Sequence, residues 1–262
     1  MEMIAHSFYG GHDITVIPVF DVHLGSPNCM EQAFIDFIKK VNETPNVYLV
    51  LGGDLIDNGT RSSVTNIFRA TMTPSQQKKE MAAILEPVRD RILCMVSGNH
   101  ERRSRDVDDD AVYDIAAKLD CENLYRENIA FVKVQMGVPE HESGAKTNGA
   151  YRPVYVLTVA HGSGGGVLTG GSVNRYERFG YTLTGCDCLI LGHVHKPFVT
   201  QPGQLVIDAR NNKVSVRPFK VVSATSWTEW GDYAAQKMLL PSTHAVQQLT
   251  LKGSKKEIVI TM

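Results

Sequence analysis

Five short apolar runs in this chain each stop abruptly at a residue that carries chemistry. Ile14 to Phe20 (ITVIPVF) ends at Asp21, and Val47 to Leu51 (VYLVL) ends at Gly52-Gly53-Asp54. Ile92 to Val96 ends at Ser97-Gly98-Asn99-His100, Val154 to Ala160 at His161, and Cys188 to Leu191 at Gly192-His193. Runs of this length, rich in β-branched residues and bounded by turn formers, read as strands buried on both faces. A chain built this way gathers its polar groups at the carboxyl edges of a sheet, where α/β proteins place ligands.

Helical signals alternate with these strands. Ser26-Pro27 reads as an N-cap with proline at the first helical position, leading into MEQAFIDFIKKV. Thr73-Pro74-Ser75-Gln76 is a capping box opening a helix with Met81, Ile84, Leu85 and Val88 on one face, which Pro87 should end or bend. Val112, Ile115, Ala116 and Leu119 repeat that spacing after the acidic residues Asp108 to Asp110. The second half reads as strands with short turns: IAFVKVQM, VYVLTVA, QLVIDA, KVSVRPFKVVSA, AVQQLTL and EIVITM, with Asn211-Asn212 as a hairpin turn. Met136 to Pro153 is polar and glycine-bearing, which predicts a surface excursion. The pattern predicts an α/β layered fold, and with no linker in view residues 1–262 read as a single domain.

The 262 residues carry 27 basic and 28 acidic side chains, a formal net charge of −1. Blanket electrostatic attraction to nucleic acid or membrane is therefore not expected, and recognition of a phosphate polymer would need a local patch. No apolar stretch reaches the roughly 18 residues of a transmembrane helix, and no signal peptide is visible at the start. The five cysteines are odd in number and scattered, the usage of a reducing compartment, so a cytoplasmic location is expected. Cys186-Asp187-Cys188 could be half of a thiolate metal site, but no second pair supports it and Cys188 opens an apolar run, which favours a buried strand.

Asp21, His23, Asp54, Asn99, His161, His193 and His195 together offer carboxylate, amide oxygen and imidazole donors without thiolate. That set suits Mn²⁺, Fe or Zn²⁺. Seven potential ligands exceed the need of one ion, and a carboxylate can bridge two ions about 4 Å apart. Such a pair would hold a phosphate ester and acidify a bridging water, whose hydroxide could attack phosphorus in line with the leaving oxygen.

Read together, these segments resemble the calcineurin-like metallophosphoesterases. The five-part signature of that family is DxH, GDxxD, GNH[DE], a lone His and GHxH. It stands here as Asp21-Val22-His23, Gly53-Asp54-Leu55-Ile56-Asp57, Gly98-Asn99-His100-Glu101, His161-Gly162 and Gly192-His193-Val194-His195. The resemblance implies a four-layer α/β/β/α sandwich with two mixed β-sheets. It implies one metal held by Asp21, His23 and His195, another by Asn99, His161 and His193, and Asp54 bridging them. It further implies that His100 protonates the leaving oxygen or steadies transition-state charge, and that Asp57 orients His100; Asp57 capping the loop at Asn58-Gly59 is the alternative. Mn²⁺ is the expected metal, with Fe or Zn²⁺ as alternatives.

Asp21 to Gly25, Gly53 to Asp57 and Gly192 to Pro197 are similar to the nuclease subunits of bacterial double-strand-break repair. Glu101 is instead similar to the phosphoprotein phosphatases, yet Asn58 and Ser97 stand where those enzymes carry arginine. The end of the sequence near residue 262 leaves little room for the DNA-capping region of the repair nucleases. Arg102, Arg103 and Arg105 follow the third motif and suit phosphate oxygens, although Asp106 and Asp108 to Asp110 could neutralise them. Gly162 to Gly171 lacks the GK[ST] ending of a nucleotide P-loop and is expected as a flexible lip beside His161. Asn174 to Tyr181 interleaves Arg175 and Arg178 with aromatics, either as a base-stacking and phosphate-contacting strip or as a half-buried amphipathic helix. Trp227 and Trp230 read as core.

The expectation is a binuclear metal-dependent phosphodiesterase acting on a nucleotide or nucleic acid, with Arg102, Arg103, Arg175 and Arg178 as substrate contacts. The alternatives are a phosphomonoesterase, including a protein phosphatase, and a non-catalytic scaffold of the same shape. The expected partner is a phosphate-ester substrate, with no membrane.

Overall fold

The computed structural model describes residues 2–60, 63, 67–138, 152–164, 168–236 and 238–262. Among them the strands are β1 (Ile4–Tyr9), β2 (Ile14–Val19), β3 (Val47–Leu51), β4 (Ile92–Val96), β5 (Tyr125–Arg126), β6 (Ile129–Val138) and β7 (Val154–Ala160). They continue as β8 (Cys188–Leu191), β9 (Phe198–Thr200), β10 (Gly203–Asp208), β11 (Lys213–Pro218), β12 (Lys220–Ser223), β13 (Gln248–Leu251) and β14 (Ile258–Thr261). The α-helices are α1 (Glu31–Glu43), α2 (Pro74–Leu85), α3 (Ala111–Lys118), α4 (Thr169–Gly180) and α5 (Asp232–Gln236).

Two six-stranded sheets carry the fold, ordered β14-β13-β2-β3-β4-β5 and β1-β6-β7-β8-β12-β9, and β10-β11 form a separate ribbon. Both large sheets are mixed. In the first, β2, β3, β4 and β5 run parallel, while β13 is antiparallel to both β2 and β14. In the second, β7, β8 and β12 run parallel, and β6 and β9 pair antiparallel with β7 and β12.

The apolar runs are continuous because each strand is buried on both faces, with successive side chains going to opposite layers. Val16, Val50, Cys94 and Val96 of the first sheet pack with Val132, Leu157, Val159, Ile190 and Val222 of the second. Their neighbours Ile17, Val19, Leu49, Leu51 and Met95 turn outward onto Phe34 and Ile38 of α1, Met81 and Leu85 of α2, and Ile115 of α3. On the far side Leu189, Leu191 and Val221 meet Tyr176 of α4. The layers are therefore helix, sheet, sheet, helix, as the resemblance implied. No helix of the described residues is long and apolar enough to cross a membrane.

Local signals held where the local chain decides. Thr73 and Gln76 form the reciprocal capping box, and α2 ends at Leu85, giving way to a 3₁₀ segment, Glu86–Arg91, that contains Pro87. Asp110 caps α3 by accepting from the Tyr113 N–H at 3.2 Å. Cys188 lies in β8, both Cys186 and Cys188 are buried, and neither belongs to a metal-ligand cluster among the described residues.

Three expectations are corrected. Helix α1 starts at Glu31 with Met30 as N-cap, not at Pro27. The intervening residues are held elsewhere, since Cys29 bridges Thr228 and the Met30 N–H bonds Trp227 O at 2.7 Å. The run KVSVRPFKVVSA is two strands, not one, because Phe219 is buried and its N–H bonds Pro202 O at 3.1 Å, breaking the run between ribbon and sheet. Trp227 is core, but Trp230 is 53% exposed. Residues 139–151 of the expected surface excursion, and 165–167 of the expected lip, lie outside the described residues.

Candidate metal centre

Every residue of the candidate centre sits just beyond a strand. Asp21 and His23 follow β2, Asp54 follows β3, Asn99 and His100 follow β4, His161 follows β7, and His193 and His195 follow β8. The first three strands belong to one sheet and the last two to the other, so the centre spans the seam between the sheets.

The local backbone that aims these groups is not extended. Asp21, His23, Asp54, His193 and His195 all have positive φ, between 51° and 69°. The left-handed region is uncommon for non-glycine residues, and each such position costs on the order of 1 kcal/mol or more unless its surroundings over-determine it. Long-range hydrogen bonds supply that determination. The Asp21 N–H bonds Gly53 O at 3.1 Å and the His23 N–H bonds Asp54 O at 2.9 Å. The His193 N–H donates to Asp21 Oδ2 at 2.7 Å. Gly98 must be glycine, because a Cβ there would lie 2.1 Å from Asp54 Oδ1.

The donor atoms converge in two nests. In one, His195 Nε2 lies 3.5 Å and His23 Nε2 3.9 Å from Asp21 Oδ1, and the two imidazole nitrogens are 3.2 Å apart. In the other, Asn99 Oδ1 lies 3.0 Å from His161 Nε2 and 2.7 Å from His193 Nδ1, with the imidazole nitrogens again 3.2 Å apart. Asp54 Oδ2 reaches both, at 3.8 Å from His23 Nε2 and 3.2 Å from His161 Nε2.

These residues fit a pair of cations. Asp21 Oδ1 is fully buried without a hydrogen-bond partner, a costly state that a bound cation removes. Nitrogens on one cation at about 2.0–2.1 Å stand roughly 3 Å from each other, close to the spacing seen in both nests. Outer partners fix the rings: His161 Nδ1 donates to Gly52 O at 3.0 Å, turning Nε2 inward, and Thr228 Oγ1 lies 3.3 Å from His195 Nδ1.

The electrostatics are those of crowded charges out of water. Burial raises Asp54 and Asp21, yet neighbouring histidines, His161 and His195 foremost, hold both carboxyls below the usual range. Burial and then the charge of His100 push His23 down to about 3. His161 is pulled down by burial but more than recovered by Asp54 and Asp21, reaching about 9.

His100 lies beside the nests, with Nε2 3.8 Å from Asp54 Oδ2. Its Nδ1 donates to Asp57 O at 2.9 Å and lies 3.3 Å from Asp57 Oδ1. Burial lowers His100, and Asp54 and Asp57 more than offset it, so the ring is raised. Arg103 bonds Asp57 O at 3.1 Å and donates to His100 Nε2 at 2.8 Å.

The other arginines are placed differently. Arg102 donates to Ser97 O at 3.0 Å. Arg105 is tied to Asp110, Glu127 and Tyr125, so the acidic run does neutralise it. Arg175 and Arg178 are exposed on α4, with Arg175 against Ser163, and neither joins the nests. Between them Tyr176 is buried at 2% exposure with its hydroxyl on Gly192 O. Ser172, Tyr176 and Gly180 form the buried stripe of an amphipathic helix.

Sequence reasoning gave no role to several supports. Glu101, 1% exposed, accepts from the N–H groups of Asp54, Leu55, Ile56 and Gly98 at 2.6–3.2 Å. Asn58 Nδ2 donates to His100 O, Glu101 O and Ser104 Oγ, and its N–H bonds Gln77 Oε1 at 2.8 Å. Glu101 was visible only as a motif letter, and nothing local marks Gln77 or Thr228.

A helix-flanked pair of mixed sheets with an imidazole–carboxylate–amide cluster at their shared edge defines a metal-dependent hydrolase. Residues 21–197 match the family described as calcineurin-like phosphoesterase, and the chain belongs to that family, a family of metal-dependent phosphoesterases. Similar solved structures include an uncharacterised protein of Streptococcus pneumoniae described as a predicted phosphoesterase, at 10% identity and TM-score 0.37, covering 95% of this chain and 88% of that one. Another is the NAD nucleotidase of Haemophilus influenzae, at 9% identity and TM-score 0.41, covering 95% of this chain and 49% of that one. No curated protein matches the sequence.

Proposed function

We propose that this chain is a binuclear phosphodiesterase that hydrolyses a nucleotide or nucleic-acid phosphodiester. The observation that carries the binuclear reading is the position of Asp54 Oδ2, within 3.8 Å of donor nitrogens from both nests. Asp21, His23 and His195 would hold one cation and Asn99, His161 and His193 the other, with Asp54 shared. The oxygen and nitrogen donor set suits Mn²⁺, with Fe or Zn²⁺ as alternatives. When bound, such a pair stabilises charge on the phosphoryl oxygens and makes water a nucleophile near neutral pH.

The remaining work falls to the side chains. Asp57 holds the Nδ1 edge of His100, which leaves Nε2 facing the nests as the atom that passes a proton to the leaving oxygen. Arg103 donates to that nitrogen, which then carries no proton; an incoming phosphate draws the guanidinium onto its own oxygens, and the freed Nε2 takes up a proton from water before passing it on. Arg102, whose guanidinium donates to Ser97 O, would be the second arginine contact. Arg175 and Arg178 would contact a longer substrate from the surface of α4.

Preference for a diester is supported by the flanks of the first and last motifs, Asp21 to Gly25 and Gly192 to Pro197, which are similar to repair nucleases. Glu101, shared in kind with phosphoprotein phosphatases, favours the second reading, a phosphomonoesterase. The chain would act as one domain in the cytoplasm, in keeping with its five free cysteines. Hydrolysis of bis-nitrophenyl phosphate and nitrophenyl phosphate with Mn²⁺ separates the readings: a higher kcat/KM on the diester is expected, and a strong monoester preference overturns the choice.

A further inference from the structure

The ribbon β10–β11 carries a bare aliphatic face. Pairing sets Gly203 opposite Pro218, Leu205 opposite Val216 and Ile207 opposite Val214, so these six share one face. Leu205, Ile207, Val214 and Val216 are 74%, 76%, 62% and 67% exposed. The opposite face carries Gln204, Val206, Asp208, Lys213, Ser215 and Arg217, of which Val206, Lys213 and Ser215 are exposed while the base touches the protein. There Gln204 donates to Tyr181 O at 3.2 Å, and Arg217 donates to Asp187 Oδ1 at 3.1 Å and Cys186 O at 3.4 Å. Water thus meets the aliphatic side, which a half-buried ribbon would cover. A two-stranded ribbon is also marginal alone and needs a covered apolar face.

We propose that this face is the interface of a symmetric homodimer, in which the ribbon of one protomer packs on that of its partner. Three features select a second copy as the occupant. The face has no charge and no hydrogen-bonding side chain, so it offers nothing to a charged or polar partner, whereas homodimer interfaces are the more apolar class. Its two residue pairs, Leu205–Val216 and Ile207–Val214, are alike in chemistry, so two copies stacked about a two-fold axis in the plane of the contact would meet aliphatic on aliphatic, the same patch on both subunits. A formal net charge of −1 puts little repulsion between two copies. In area, four aliphatic side chains open to this degree present roughly 450 Å². Two copies together bury about 900 Å² before rim contacts are added, close to the roughly 1,000 Å² of a specific interface. The ribbon is rooted in the body by the Phe219 N–H to Pro202 O bond, so pairing would not require the sheets to move.

Sedimentation or light scattering on the full chain tests this without reference to activity. The wild type is expected at twice its chain mass of 28.9 kDa at micromolar concentration. Ile207→Lys should return it to the single-chain mass, and Val216→Thr, which keeps β-branching, should weaken the dimer about tenfold or more. Unchanged far-ultraviolet dichroism shows that the ribbon variants still fold. A wild type that stays at the single-chain mass up to about 100 μM, including one that does so because the ribbon binds some other molecule, overturns the proposal. So does a dimer that survives both substitutions.

Discussion

Replacing Glu101 by glutamine tests whether one buried carboxylate holds two loops of the candidate centre in register. Oε2 accepts from the N–H groups of Asp54 at 2.9 Å and Gly98 at 2.8 Å, and Oε1 from those of Leu55 at 2.6 Å and Ile56 at 3.2 Å. All four partners are donors. Burial and then the charge of Asp54 push this carboxyl above its usual range, and the N–H groups of Asp54 and Ile56 oppose them. A glutamine of the same shape can keep two of the bonds through its oxygen. Its NH₂ group then faces two N–H donors, so two charge-assisted bonds are lost and two buried donors are left unpaired. At roughly 1.5–3 kcal/mol for each such bond, the expected loss is about 3–6 kcal/mol. For a chain of this size that lowers Tm by roughly 10 °C. Thermal unfolding of the metal-free protein reads the stability, and calorimetric titration with Mn²⁺ reads the nests, where weaker binding is expected because the Asp54 loop is no longer anchored. Glu101→Asp keeps the charge but is one methylene too short to reach both loops, and should fall between the two. A glutamine variant that melts within about 2 °C of the parent and binds Mn²⁺ unchanged would refute the reasoning.

Two further substitutions address the chemistry. Asp54→Asn should abolish turnover and reduce metal content after Mn²⁺ loading, as measured by elemental analysis; full occupancy of two ions would remove Asp54 from its shared position. His100→Ala should leave the metal content unchanged and slow turnover about a hundredfold or more, the range of general acid–base catalysis. Near-normal rates in that variant would contradict its assigned role.

The strands and the polar groups at their ends were legible because a strand buried on both faces must be a continuous apolar run. The polar residues shortly after such a run mark where the strand has stopped, as Asp21, Asp54, Asn99, His161 and His193 each do. The Thr73 capping box and the helix-ending Pro87 were legible for another reason, since their partners lie within a few residues in the chain.

Other features were settled across large sequence separations, and no local pattern carries them. Met30 starts α1 only because Trp227, nearly two hundred residues later, takes its N–H. Phe219 splits an alternating run because Pro202 and the α4 layer claim it. The left-handed turns at Asp21 and His193 persist because each residue bonds a loop from another strand. The ribbon β10–β11 reads locally as any alternating hairpin, because alternation defines two faces but not whether either is covered. The sequence by itself determined which groups could meet. Only hydrogen bonds between distant segments decided how they meet, since those bonds must satisfy buried backbone groups wherever packing has brought them.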